Sequence, residues 1–453
     1  MSVITLNEMI EYWLQNGEAY ALRNGVNVEK VNEKELRDAL MRIFQIDGKL
    51  TIFSKMIFSQ IIPDVRKKYN SQIKNDEKIG CKWISKYLHT KLNKTDGKGS
   101  CSICGAAKAN IIKGWIYPFI VAFEKFPNLY PAGKVKSLFL CQKCATLSIL
   151  AYNGVFFNAQ GQDYISLIFF FSNSSEMLNR IMGAYLTIEP KIATDSFKNI
   201  KLDVIVYFPY EFLAYIIYKI ASSIEKINIT YEDNLLELNA VIAGIIPKQK
   251  KLYLGVSIIN RVETILLSML SFIEKFSDDA FKQMYTLMRM SEDRTIKANQ
   301  FIEREKFFKY LLKYKKINWN AALNLIIYRL ELDQRINFIS DFIRLFLEKL
   351  DMNEKELFDM VSGLGYRLGK SIIKKEKNIK KAKKYIYELR RSRRLSEFLD
   401  KINHIQLDLE TTIDDRPFRE NPERFEDLKS MFLIDMCNGI FTINSGGDDK
   451  NEG

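Results

Sequence analysis

Histidine is almost missing from this chain. Its 453 residues hold two, His89 and His404, followed by Thr90 and Ile405, so no His-Asp metal nuclease dyad exists. No nucleophile elbow and no Gly-x-Gly-x-x-Gly dinucleotide loop occurs either. Carboxylate pairs such as Asp414-Asp415 and Asp278-Asp279 could bind a metal, but helix caps and exposed surface explain them more simply. These absences argue against an enzyme. Long apolar runs are missing too. The most apolar windows are 164–171, only eight residues, and 204–224, which contains Pro209, Glu211 and Lys219, so neither is a membrane span. The first residues carry no basic lead and no apolar run, so no secretory signal is expected, and six cysteines fit a reducing cytoplasm.

One apparent motif fails on counting. Gly363-Leu-Gly-Tyr-Arg-Leu-Gly-Lys-Ser371 looks like a phosphate-binding loop, which needs four residues between its glycines before Gly-Lys-Ser. Counting back from Gly369, the required position is Leu364, and residues 354–360 before it read as helix. An NTPase is rejected, and close helix packing at glycine is the expected reason for these residues.

What is present begins with cysteine. Cys101-Ser-Ile-Cys104 and Cys141-Gln-Lys-Cys144 are separated by 36 residues. Two such hairpins point four thiolates at one place, which suits a tetrahedral Zn²⁺. Gly105 follows the first pair, where a tight knuckle needs a residue without Cβ strain. The usual intervening loop is roughly 15–20 residues. Doubling a loop costs only about 0.6 kcal/mol, against about 10–16 kcal/mol from structural zinc, so the length is no objection. The alternatives are two disulfides or four unrelated core thiols. One structural zinc, closed by four thiolates, leaves no open position for catalysis.

Lys and Arg outnumber Asp and Glu by 68 to 55, a net +13 that favours a polyanionic partner; the bland reading is an AT-rich genome writing Lys. Between Arg367 and Arg394 thirteen cations face two Glu, a local +11. Leu368, Ile372, Ile379, Ala382, Ile386 and Leu389 make an apolar stripe at helical spacing. Lys370, Lys374, Lys377, Lys381 and Lys384 make a second, about 200° away on a single helix. Such a row, with Arg390, Arg391, Arg393 and Arg394 beyond it, suits a phosphate backbone without reading sequence. A solvated helix face is the competing explanation.

The pattern predicts an α+β, mostly helical chain: an N-terminal and middle α/β region with a zinc knuckle, followed by a C-terminal helical bundle. Residues 1–93 read as helical, with a capping box at Asn32 and Glu35 ahead of Leu36, Ala39, Leu40 and Ile43. Residues 94–153 form the zinc-knuckle module, with Pro118, Pro127 and Pro131 breaking its loop, a strand at 137–140 and a helix at 145–152. Residues 154–259 are mixed α/β, with strands at 155–157, 164–171, 204–208 and 252–258. Between the first two strands, Asn158, Gln160 and Gln162 sit in an amide-rich loop able to read base edges, or in a plain hairpin turn. Residues 260–444 form the bundle, with a seam at Ile336, Ile339, Ile343, Phe346 and Leu350, and 445–453 a disordered tail.

Split four-cysteine knuckles near residue 100, the Leu-Cys-x-x-Cys-Ala setting of Cys141 and Cys144, and the 363–370 helix together resemble one family. It is the CXXC–CXXC family of large subunits of type I CRISPR–Cas effector complexes, the Cascade of subtype I-B and its relatives. The resemblance covers most of the chain. It implies a non-enzymatic role in antiviral defence, within an assembly of crRNA, backbone subunits and small subunits. There the large subunit contacts the short duplex motif beside the target double-stranded DNA (the PAM), helps to open it and recruits a helicase–nuclease. The lysine row would hold DNA backbone, while Asn158, Gln160 and Gln162, or the 94–100 loop with Lys94 and Lys98, would face the PAM. The C-terminal part is similar to the small subunit, which some systems make by internal initiation; Met352 and Met360 are the candidate starts. The other reading is a stand-alone zinc-containing nucleic-acid-binding protein acting in transcription or on RNA.

Overall fold

Amphipathic spacing and side-chain caps account for the first helices. The computed structural model describes residues 6–41, 58, 61–70, 72–73, 79–93, 97–112, 117, 138–160, 164–174, 178–179, 181, 183, 208–224, 237–248, 251–276, 294–331 and 337–441. Helix α1 spans Leu6–Asn24 and α2 Glu33–Met41. Asn32 and Glu35 form the expected reciprocal cap. The Asn32 amide donates to Glu35 Oε2 at 2.8 Å, and the Glu35 amide donates to Asn32 Oδ1 at 2.9 Å. Leu36, Ala39 and Leu40 then bury one face of α2.

Helices α3 (Ile62–Lys68) and α4 (Cys81–Leu92) follow, then the antiparallel pair β1 (Asn110–Ile112) and β2 (Leu138–Leu140). Helix α5 (Gln142–Leu150) runs through a 3₁₀ turn at Ala151–Gly154 into β3 (Val155–Gln160). With β4 (Tyr164–Ser172), β5 (Leu238–Lys248) and β6 (Lys251–Ile259), β3 builds an antiparallel sheet in chain order. Residues 166–172 are buried without alternation, so β4 is covered on both faces. Residues 144–150 of α5 are equally buried, and α1 packs on them: Trp13 Nε1 donates to the Ser148 carbonyl at 2.8 Å. The Trp13 ring also stands edge-on to Tyr152 and Phe169 at 5.1 and 5.5 Å.

Residues 1–202 with 223–263 make one compact unit, and residues 203–222 with 264–453 a second. The segments 1–93, 94–153 and 154–259 thus share a unit, except for 203–222. The second unit is built from helices. After α6 (Pro209–Ile224) and α7 (Glu263–Phe276), α8 (Arg294–Lys309) passes through a π turn to α9 (Trp319–Glu331) and α10 (Asn337–Leu350). Then come α11 (Met352–Glu376), α12 (Ile379–Arg390), α13 (Leu395–Leu409), the short α14 (Arg416–Glu420) and α15 (Phe425–Phe441). Helix α15 is buried from Leu428 to Phe441 and forms the centre of the unit. On α10 the expected seam is buried at Ile339, Ile343 and Phe346 and half-buried at Leu350. Buried Asp435 of α15 is satisfied by Ser340 Oγ at 2.6 Å and by Arg344, which also bonds Asp359 at 2.9 Å.

The chain is therefore α+β and mostly helical. Among the described residues no helix is long and apolar enough to cross a membrane. Two local expectations change. The basic stretch is two helices: Lys377 takes a left-handed conformation (φ 49°) and Asn378 caps α12, accepting from the Lys380 amide at 2.8 Å. The first half of the amide-rich loop is ladder, because β3 extends to Gln160, pairing Asn158 with Ser166 and Gln160 with Tyr164. Lys94, Gln162, Ile336, the three loop prolines, residues 204–207 and the tail lie outside the described residues.

Candidate metal centre and basic segment

Two short pieces of backbone aim the four cysteines. The Gly99 and Ala109 main chains pair back to back, and the first knuckle forms the tip of that ribbon. The Gly105 amide donates to the Cys101 carbonyl at 2.9 Å and the Cys101 amide to the Ala106 carbonyl at 2.7 Å. Gly105 has φ +73°, the left-handed turn its position demanded. The second pair opens a helix. Cys141 is the N-cap of α5, its Sγ accepting from the Cys144 amide at 3.5 Å. Strand β2 ties the two pieces together, since the Ser102 amide donates to the Phe139 carbonyl at 2.7 Å.

All four Sγ atoms lie within 4.8 Å of one another, with Cys104 and Cys141 3.6 Å apart. A tetrahedron with metal–sulfur bonds near 2.3 Å has edges of about 3.8 Å, so the cluster can hold one metal ion. Cys101 and Cys144 are buried, Cys141 is half-buried and Cys104 is exposed. The electrostatics divide the thiols. Burial opposes ionisation of Cys101, but amides of Cys104, Cys141 and Ile103 donate to its sulfur and bring it down to about 7. Burial, with Cys101 and Cys141 as neighbouring charges, pushes Cys144 up. A cation at the centre would reverse that penalty, since a metal binds thiolates. Four sulfur donors in a tetrahedron suit zinc or iron and leave no open coordination position.

One support of the centre was not visible in the sequence. Gln142, beside Cys141, donates through Nε2 to Asn93 Oδ1 at 2.9 Å, and Asn93 Nδ2 meets His89 Nε2 at 2.8 Å. This chain of bonds fastens the end of α4 to the first turn of α5. Its partners lie 49 residues apart, beyond any local pattern.

The basic segment remains on the surface, on two helices. Lys370, Lys374, Lys377, Lys381 and Lys384 are all exposed. Among the described residues the first four form no ion pair, and Lys384 stands 3.6 Å from Glu388. The straight row with even spacing is lost at Lys377. Arg390 turns partly inward, donating to Asn324 Oδ1 at 2.6 Å, whereas Arg391, Arg393 and Arg394 are exposed where α12 gives way to α13. Lys98 is exposed beside Gly99, on the ribbon that carries the first knuckle. The metal cluster belongs to the first unit and the basic segment to the second. No family model matches the chain, and no curated protein matches it.

Proposed function

We propose that this chain is the large subunit of a type I CRISPR RNA-guided DNA surveillance complex, contacting the PAM duplex and displaced strand and recruiting a helicase–nuclease. The observation that carries the reading is the meeting of two Cys-x-x-Cys knuckles, 36 residues apart in sequence, at one four-sulfur centre. Zinc is the metal proposed there. It would fix the N-terminus of buried α5 and so hold the first unit together, with no step of chemistry of its own. The exposed lysines of α11 and α12 supply backbone attraction, while guide–target pairing supplies sequence recognition. The reading assigns no reaction to the chain. Among the described residues the four cysteines are the only group of three or more His, Cys, Asp or Glu placed to hold a metal.

Asn158 and Gln160, proposed to face the PAM, belong to the β3–β4 ladder. A product of internal initiation at Met352 or Met360 would lack Ser340 and Arg344, two of the partners of Asp435.

The test is co-purification with crRNA and repeat-protein subunits, followed by PAM-dependent duplex binding. Replacing Lys374, Lys377, Lys381 and Lys384 by Glu should flatten the salt slope by about 0.9 for each duplex phosphate no longer neutralised. Unchanged binding removes the basic segment from the reading. A stand-alone zinc-containing nucleic-acid-binding protein is the alternative, and it predicts useful affinity for nucleic acid from the pure chain without partners.

A further inference from the structure

Cations and aromatic rings alternate across α3 and α4 of the first unit. Lys82 Nζ lies 5.7 Å from the Trp83 ring centre, and Lys86 Nζ 5.5 Å from it. Lys86 also stands 5.4 Å from the ring of Tyr69, which is 5.1 Å from that of Trp83. Lys68 extends the line, 5.4 Å from Tyr69 and 5.8 Å from Tyr87, and Lys91 ends it 5.5 Å from Tyr87. Helical spacing makes half of this strip: Lys82 and Lys86, like Trp83 and Tyr87, are i,i+4 neighbours on α4. Tyr69, the C-cap of α3, supplies the crossing point.

Burial sorts the roles. Tyr69 and Tyr87 are 7% and 5% exposed, so the lysines lie over covered rings. Trp83 is only half-buried, and Lys68, Lys82 and Lys91 are exposed. None of the four ammonium groups forms an ion pair among the described residues. The neighbouring acid Asp64 accepts from the Tyr87 hydroxyl at 3.1 Å. Contacts of this kind restrain the lysine stems, so less freedom is given up when an anion arrives.

We propose that Lys68, Lys82, Lys86 and Lys91, with the accessible indole of Trp83, form a binding strip for single-stranded nucleic acid. The strip is separate from the lysines of α11 and α12 and does not depend on the family reading. Phosphates meet the ammonium groups while an unpaired base stacks on Trp83, an arrangement that tolerates any sequence. A duplex keeps its base faces stacked inside and would leave the indole idle. An anionic membrane would call for exposed apolar side chains. The exposed large hydrophobics among the described residues are Leu22, Ile302, Tyr310, Tyr314, Met352, Met360 and Leu407, none of them on α3 or α4.

The test uses the full chain and a fluorescein-labelled 15-nucleotide oligothymidylate across a salt series. The variant K68Q/K82Q/K86Q/K91Q should bind at least about ten-fold more weakly at low salt, with the slope reduced by about 0.7 for each phosphate no longer neutralised. Oligothymidylate should quench tryptophan emission, and Trp83→Phe, which keeps an aromatic ring at the site, should remove that quenching. Replacing Lys374, Lys377, Lys381 and Lys384 by Glu should leave the Trp83 quenching in place. That separates the strip from the segment proposed to hold duplex DNA. Wild-type binding by the four-lysine variant, quenching that survives Trp83→Phe, or equal quenching of Trp83 by a duplex of the same length would each overturn the assignment. So would binding to phosphatidylserine vesicles in preference to the oligonucleotide.

Discussion

A Cβ placed on Gly365 of α11 would lie 1.9 Å from the carbonyl oxygen of Phe432 on α15. The same holds one turn later, where a Cβ on Gly369 would lie 2.2 Å from the Met436 oxygen, and in reverse, where one on Gly439 would lie 2.3 Å from the Tyr366 oxygen. The two backbones pack directly through these notches, which accounts for the glycines that mimic a phosphate loop. Gly363 differs, with nothing within 4 Å of a built Cβ. Gly365→Ala should therefore destabilise by about 1–3 kcal/mol or more through overpacking. Gly363→Ala should stabilise by up to about 1 kcal/mol, the helix propensity gained. Urea midpoints at constant m distinguish them. Shifts in the same direction would contradict the packing.

Metal removal should be felt far from the sulfurs. Because Cys141 and Cys144 open the buried helix α5, chelation should loosen the hydrogen bond between Trp13 Nε1 and the Ser148 carbonyl and collapse the near-ultraviolet circular dichroism of Trp13. Structural zinc contributes on the order of 10 kcal/mol or more, so Cys144→Ser should lose both the metal and the cooperative transition of the first unit. Buried Cys81 and Cys437 lie outside the cluster, and Ser at either position should retain one equivalent of metal. Elemental analysis of the three variants decides the ligand set.

Local chemistry explains what the sequence made legible. Asn32 and Glu35 need only each other, the knuckle needs Gly105, and the α10 seam follows from period 3.6, so each could be read within fifteen residues. The break at Lys377 escaped because the apolar stripe continues across it: Leu368 and Ile372 are buried on α11, and Ala382, Ile386 and Leu389 on α12. The local signal was Asn378, a strong N-cap residue inside an otherwise helical pattern. Asn158 and Gln160 lie in strand where composition suggested a loop, since ladder pairing with β4 overrides the loop preference of amides. Nothing local could send residues 203–222 to the second unit or bring Tyr69 beside Trp83.

A carboxylate cluster at the start of α6 should make stability depend on pH. Glu305 accepts from the Tyr210 and Glu211 amides at 3.0 and 2.9 Å, while buried Glu211 pairs with buried Arg304 at 2.5 Å. Burial first, then the charge of Glu211, pushes Glu305 from an ordinary 4.5 up to about 8 against the pull of those amides. Between those values the folded chain holds a proton that the unfolded chain has released. Its stability contribution is therefore complete below about 4.5 and lost as pH rises through about 8. Glu305→Gln should flatten that part of the profile relative to wild type. Urea midpoints from pH 5 to 9 measure it, and parallel profiles would refute it.

The break between α11 and α12 can be tested with two variants of equal charge. Lys377 has φ 49°, a region that penalises a Cβ and suits glycine, whereas Lys374 is an exposed residue in the last turn of α11. Each substitution by glycine removes one positive charge. Lys377→Gly should stabilise the second unit by roughly 0.5–1 kcal/mol, because the left-handed cap no longer carries a side chain. Lys374→Gly should cost up to about 1 kcal/mol in helix propensity. A single continuous helix through this stretch predicts a loss at both positions, so a rise in the urea midpoint for Lys377→Gly alone establishes the two-helix arrangement in solution.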